Sequence, residues 1–431
     1  MKKVEVFEGN QLYDECQSIN SDSARCFLRG RNSSGRELQI PITDELFSKH
    51  MLFIGGIGTG KTNALFQIVQ QLRQTISSDD IMMIFDTKGD FHREFFRNGD
   101  VVISNDEKAT GVEVVDFWNL FLEIERDEHM DENITEIAKT LFFEHIDQSQ
   151  QPFFPNAAKD IFAALITHIM RGNSEYEPTN NGLRELLDQA DANQIRAILT
   201  AHKDLKAISS YISGDKSEQT QGVLSELQQL AHEMLLGNFM KPGNISIRRL
   251  IREKQGRVVF VEYDLGIGNM LTPIYRLLFD LAIKEALCRR KSEGNVWFIV
   301  DEFRLLPHLQ HAEDAVNFGR GLGVKFIIGV QNVDQLFASY GEPLAKSILS
   351  GFQTNVSFRV GDSTTRDFIK HIHGTNRKKE TYSSAISSRG IVENIRDANV
   401  VEDWDISRLR TGEAIIGFPE KDPFRFVFKR F

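Results

Sequence analysis

The sequence has little cysteine and little proline, no long apolar run and no excess of positive charge. Three cysteines in 431 residues (Cys16, Cys26 and Cys288) are too few and too scattered for a disulfide framework. They read as small thiols of a reducing compartment. No Cys-x-x-Cys pair or Cys/His cluster points to structural zinc. Ten prolines and 31 glycines exclude collagen-like and low-complexity chains. No apolar run reaches the roughly 18 residues that a membrane span needs. The longest candidate, IFAALITHIM (161–170), is short and carries polar residues. The opening MKKVEVFEGN has two lysines but no apolar region behind them, so it is not a secretory signal. A cytoplasmic chain without direct membrane insertion is therefore expected. With 51 basic against 61 acidic residues the formal net charge is −10. That argues against a surface coated all over with cations to hold nucleic acid. It leaves room for a basic channel enclosed in an assembly.

What is present is an ordinary globular composition, 41% hydrophobic and 26% charged. The length suggests two to three domains, or one large α/β domain with insertions. Short alternating runs such as VEVF (4–7) and ELQIPI (37–42) flank the turn-rich NSSGRE, predicting a small β-rich leader over 1–45. MLFIGG (51–56) then reads as a buried strand ending in glycines. Leu65, Ile68, Val69 and Leu72 mark one face of a helix behind it. IMMIFD (81–86) and VVIS (101–104) are further strands. From about 127 to 247 the strand signal gives way to amphipathic helical patterns, predicting an all-α insertion. Strand runs resume at RVVFVEYD (257–264), VWFIVDEF (296–303), VKFIIGVQN (324–332), NVSFRV (355–360) and AIIGF (414–418). Near-continuous apolar strands alternating with helices predict an α/β fold with a mainly parallel sheet covered on both faces. This α/β domain is expected over 46–126 and 248–431. TYSSAISSRG (381–390) reads as a turn-rich segment.

GGIGTGKT fits G-x-x-x-x-G-K-[ST], with Gly55, Gly60, Lys61 and Thr62 at the fixed positions. Glycines let the backbone curl so that successive N–H groups face a phosphate. The following helix directs its positive dipole end at the same group. The nucleotide is expected against Gly55, Gly56, Ile57, Gly58, Thr59, Gly60, Lys61, Thr62 and Asn63. Lys61 would reach the β- and γ-phosphates of ATP, and Thr62 would offer its hydroxyl to Mg²⁺. A strand before the loop and a helix after it supply the required context.

VWFIVDEF places Asp301 and Glu302 at the end of an apolar strand. Asp301 is the expected magnesium carboxylate, and Glu302 the group that takes a proton from, or orients, the attacking water. Asp86, at the end of IMMIFD, competes for the magnesium role. Asp301 is preferred because Glu302 stands beside it. Gln331 ends the strand of VKFIIGVQN, where a side chain can sense the γ-phosphate. Arg320, in NFGRGLGV, reads from spacing alone as a surface arginine.

Taken in order, these motifs resemble those of the conjugative DNA-transfer ATPases, the type IV secretion coupling proteins, which group with the FtsK/HerA-like hexameric DNA pumps. The likeness rests on GGIGTGKT, on FDTKGD, and on the helical insertion. It rests also on the long block WFIVDEFRLLPHLQHAEDAVNFGRGLGVKFIIGVQNVDQLFASYG (297–341) and on ANVVEDWDISRLRTGEAIIGF (398–418). It covers roughly 45–425. The resemblance implies a P-loop NTPase fold of RecA/FtsK type and an ATP-driven motor that moves DNA through a central pore, as a homo-hexamer. It implies that Arg320 is a trans arginine finger and Gln331 the sensing glutamine. Many members begin with membrane helices. The reading here is of a soluble relative, partnered by a membrane subunit, a relaxase or a nuclease. Alternatives are an ATPase that moves or remodels proteins and a regulatory switch subunit of a nuclease or defence complex. Arg366, Lys370, Arg377, Lys378 and Lys379 are the candidates for touching DNA. They are set against the reading of the same run as a solvated face.

Overall fold

The computed structural model describes residues 3–17, 23–105, 116–172, 174–214, 217–289, 293–383 and 391–431. The chain divides into two compact units. The first comprises Met1–Met82, Arg290–His308 and Ala312–Phe431, and the second Met83–Arg289 with Leu309–His311. The strands in chain order are β1 (Lys3–Glu8), β2 (Ala24–Arg31), β3 (Glu37–Thr43), β4 (Met51–Ile54), β5 (Ile81–Asp86), β6 (Val101–Ile103) and β7 (Val258–Glu262). They continue with β8 (Val296–Val300), β9 (Val324–Val330), β10 (Thr354–Ser357), β11 (Thr375–Ser383), β12 (Ile391–Asn399), β13 (Glu413–Gly417) and β14 (Phe424–Phe428).

In the first unit the strand order is β3-β2-β14-β13-β10-β4-β9-β8. The strands β10, β4, β9 and β8 run parallel. The others extend them antiparallel. Every residue of β4, β8 and β9 is buried, as expected for parallel strands covered on both faces. The helix Lys61–Thr75 buries Leu65, Ile68, Val69 and Leu72, the face read from the spacing. Its glutamines tie it to β2: the Arg29 backbone N–H donates to Gln67 Oε1 (2.9 Å) and that of Phe27 to Gln71 Oε1 (3.0 Å).

The leader expected over 1–45 does not stand apart. The β2–β3 hairpin joins β14, and β1 pairs antiparallel with β11 beside β12. Short alternating strands leave unpaired edges, and these find their partners in the C-terminal part of the chain. Residues 384–390 of the turn-rich segment lie outside the described residues.

The second unit contains β6 and β7, which pair in parallel. From Met130 to Glu253 its described residues form helices and short 3₁₀ turns with no strand among them. Helix Phe153–Met170 packs on Met130–Leu141 and on Glu218–Met234. The unit is broader than the insertion expected over 127–247. Helix Gly268–Leu287 is buried along most of its length and packs on both Met130–Leu141 and Glu218–Met234, so those helices share one core with it. Arg276 on that helix is fully buried. Its guanidinium donates to Thr140 O (2.8 Å), lies 3.1 Å from Glu144 Oε1 and covers the Phe143 ring. Among the described residues no helix is long and apolar enough to cross a membrane.

Candidate nucleotide site

The loop after β4 is seated by its neighbours. The Gly55 N–H donates to Val330 O (3.1 Å) at the end of β9, and the Gly56 N–H to Arg359 O (2.9 Å) just past β10. Because these strands are parallel, the loop lies at their carboxyl ends, where open α/β sheets bind ligands. Gly60 has φ 120°, and a Cβ there would come within 3.1 Å of the Gly412 Cα. The Gly412 N–H in turn donates to Thr59 O (2.8 Å). Only glycine accommodates both the backbone angle and the approach. Lys61 is 7% exposed, and its Nζ donates to Gly55 O and to Gly56 O (3.2 Å), which holds the ammonium over the loop. Thr59 Oγ1 donates to Gly56 O (2.8 Å). Ile57 at the tip is 85% exposed. Asn63 is committed elsewhere: its amide bonds Lys429 O (2.9 Å) and the Phe431 N–H (2.7 Å).

The second acidic strand meets the loop directly. Thr62 Oγ1 donates to Asp301 Oδ2 at 2.7 Å. A hydroxyl and a carboxylate side by side are hard oxygen donors of the kind Mg²⁺ takes, with nucleotide phosphates completing its shell. The residues therefore fit that cation. Gly329 makes the geometry possible. A Cβ at this position of β9 would fall 2.1 Å from Asp301 O, so a side chain would push the end of β8 away. Glu302 is 8% exposed. Gln331 Nε2 donates to its Oε2, and Arg304 Nε lies 3.2 Å from its Oε1. Burial raises the Glu302 pKa above the usual carboxylate range, against the pull of Arg304, Lys61 and the Gln331 hydrogen bond. The result is a positioned carboxylate with increased proton affinity, which suits a general base.

Lys61, Thr62, Asp301, Glu302 and Gln331 are thus brought together in the first unit. Arg320 is not. It sits in the turn Gly319–Leu322 at the start of β9, whereas Gln331 follows the end of that strand. Seven residues of strand separate them, about 23 Å. The Arg320 side chain is 53% exposed, and its approach to Glu45 is loose at 4.0 Å. Asp86, the competitor for magnesium, belongs to the second unit. Its carboxylate accepts from the backbone N–H of His92 (2.8 Å) and of Lys88 (3.3 Å), capping its own strand-to-helix turn. Sequence reasoning missed Gly412, Phe358 and Arg359, whose backbones brace the loop. They lie some 300 positions or more away, and no spacing rule connects them to it. It also missed the buried pair His92 Nδ1···Glu262 Oε1 (2.8 Å) in the second unit.

The basic run of 364–380 turns out to be paired. Arg366 meets Asp403, Lys370 meets Asp367, and Arg377 meets Glu8 and Asp397. Lys378 meets Glu402, and Lys379 meets Glu393. Each cation of that run proposed to face DNA already has a carboxylate.

An α/β sheet with parallel central strands, this loop and this acidic strand end defines a P-loop ATPase fold. The chain belongs to the family described as the type IV secretion-system coupling protein DNA-binding domain, whose model matches residues 37–428. It is 24% identical over 374 residues to the coupling protein TraD of Escherichia coli K12, covering 84% of this chain and 48% of TraD. It is 24% identical over 319 residues to the coupling protein VirD4 of Bartonella quintana, covering 68% of this chain and 48% of VirD4. The chain thus spans about half the length of these relatives. Among solved structures, the bacterial conjugative coupling protein TrwB lacking its N-terminal segment, in complex with sulphate, superposes with TM-score 0.75 at 17% identity. That match covers 99% of this chain and 93% of that truncated chain. TrwB with ADP and Mg²⁺ gives TM-score 0.71 at 18% identity, covering 91% and 87%. TrwB with a non-hydrolysable ATP analogue gives 0.73 at 18%, covering 99% and 95%.

Proposed function

We propose that the chain is the ATP-hydrolysing motor of a DNA pump. It acts as a homo-hexameric ring on the cytoplasmic side and passes DNA in conjugative transfer or in DNA processing. A relaxase, a nuclease or a membrane subunit is its partner. The observation that carries this reading is the Thr62–Asp301 hydrogen bond beside the Glu302–Gln331 pair. It joins a phosphate loop to a metal carboxylate and a base. Membership of a coupling-protein DNA-binding family supplies the substrate class.

In this reading the loop N–H groups and Lys61 bind and orient the ATP phosphates. Thr62 and Asp301 would hold Mg²⁺, which when bound neutralises charge on the β- and γ-phosphates. Glu302 takes the proton of the attacking water, and Gln331 fixes the direction of that carboxylate. Arg320 cannot serve its own loop from the far end of β9, so it serves a neighbour's in the ring. Phe318 beside it is 70% exposed and would lie at the same contact with the neighbouring copy.

The test is ATP turnover by the assembled oligomer with and without DNA. The proposal expects DNA to accelerate phosphate release, and Lys61→Ala or Glu302→Gln to abolish it. Turnover indifferent to DNA in a formed oligomer would remove the pump reading.

A further inference from the structure

The paired run at 364–380 leaves the question of where a chain of net charge −10 would hold DNA. The second unit contains a cavity of about 440 Å³ lined by Glu123, Glu125, Arg126, Arg248, Arg249 and Arg252, with Met170 and Pro178 on its wall. That volume is in the range of small-ligand clefts.

The acidic residues around the cavity are already engaged. Glu123 accepts from Trp118 Nε1 (2.8 Å), the Ile247 N–H (2.6 Å), Ser246 Oγ (3.0 Å) and the Arg248 N–H (3.1 Å). Glu125 is paired with Arg252, which also meets Glu285 at 2.6 Å. Three guanidiniums remain. Arg126 and Arg249 are exposed and have no carboxylate partner among the described residues. Arg248 is only 6% exposed. Its Nη1 donates to Asn133 Oδ1 (2.8 Å), whereas its buried Nη2 has no hydrogen-bond partner. A buried charged donor left unpaired is costly. Arg248 lines the same cavity as Arg126 and Arg249, and guanidiniums gathered at one cavity suit an oxyanion.

We infer that this cavity is a phosphate site that holds the backbone of the DNA substrate against the helical part of the chain. The inference rests on the DNA-pump reading and gives it a point of attachment. Three uncompensated guanidiniums within one small cavity favour a phosphate diester over a neutral ligand. Direct binding needs no base recognition, so the site takes any sequence.

The experiment uses the full chain and a fluorescein-labelled oligonucleotide, titrated over a range of salt. Variants are Arg126→Ser with Arg249→Ser, two exposed positions where folding is preserved, and separately Arg248→Lys. Affinity for a fluorescent ATP analogue serves as the folding control. The double variant should bind DNA at least about tenfold more weakly. Its log–log salt dependence should be shallower by about 2, one for each phosphate that is no longer neutralised. Arg248→Lys should also weaken binding, because an ammonium keeps the charge but loses the fork. DNA binding with unchanged affinity and slope in the double variant would overturn the site while leaving the pump reading intact.

If the parent chain binds no DNA, the pump reading falls and inorganic phosphate decides the site, in a Lys61→Ala background that disables the phosphate loop. A rise in thermal midpoint with phosphate that the arginine substitutions remove retains the anion site. No rise in either protein overturns it. Arginine-dependent binding of polyglutamate in place of DNA would overturn the nucleic-acid assignment.

Discussion

The phosphate-loop site of the first unit and the arginine cavity of the second make opposite use of charge. At the loop, charges are matched on the spot. Thr62 meets Asp301, Gln331 meets Glu302, and Lys61 is held by loop carbonyls. In the cavity, the carboxylates are consumed by backbone and by Arg252, and three guanidiniums are left over. A site that performs chemistry needs fixed groups whose proton affinities are tuned by neighbours. A site that grips a polyanion needs uncompensated charge and little else.

The largest effect expected from this contrast concerns Arg320, which belongs to the first unit yet lies at the opposite end of β9 from its phosphate loop. Arg320→Ala should cost about 10³-fold in turnover of the oligomer. It should leave the ATP affinity of the isolated chain unchanged. Mixing Arg320→Ala with Lys61→Ala chains should restore part of the activity, since each supplies what the other lacks. Failure of complementation in a mixed oligomer would return Arg320 to the status of a surface residue.

A smaller effect separates the two aspartates. Asp301→Asn should lower turnover by about 10²-fold, the scale of removing one electrostatic group from a site. Asp86→Asn removes an acceptor from a turn and should chiefly cost stability, about 1 kcal/mol. Steady-state kinetics with magnesium titration, together with thermal melts, distinguish the two. Reversed sensitivities would move the metal to the other strand.

The smallest effect expected is in the pH dependence of stability, and here the units should diverge. His50 in the first unit is buried, with its ring between Val316 O (3.1 Å) and the Phe326 N–H (3.0 Å). Burial, with Arg320 nearby, lowers its pKa from 6.5 to about 4. The unfolded chain therefore binds this proton first as pH falls. Stability is lost between those values, by up to roughly 3 kcal/mol. Asp280 in the second unit is raised by burial from 3.8 to about 7. There the unfolded chain ionises first, and stability is lost as pH rises across that window. Hydrogen exchange resolved by segment should show opposite slopes, flattened by His50→Gln in one unit and by Asp280→Asn in the other. Parallel slopes would contradict both assignments.

Most of the first unit's candidate site was legible in the sequence. A phosphate loop packs its function into eight consecutive residues, and its context of strand and helix is just as local. Asp301, Glu302 and Gln331 were legible because each ends an apolar strand, and parallel strands present their ends on one edge. The resemblance to coupling proteins supplied what spacing could not, the trans role proposed for Arg320. What escaped was assembled across the chain. The hairpin of β2 and β3 read as a separate leader because alternation reveals a strand but not its partner. The basic run at 364–380 stayed open between a DNA-facing surface and a solvated face because its carboxylate partners, such as Glu8 and Asp403, lie far off in sequence. The arginine cavity went unread because it joins residues 121–126 to 246–252, and neither segment alone exceeds an ordinary charged loop.

The central claim, that a nucleotide site of this geometry drives DNA movement, is tested most directly by ATP hydrolysis of the assembled oligomer over a DNA titration. Turnover should rise with DNA to a plateau, with a flat line near zero for Lys61→Ala under the same conditions. Turnover that is the same with and without DNA, in an oligomer shown to be intact, would contradict it.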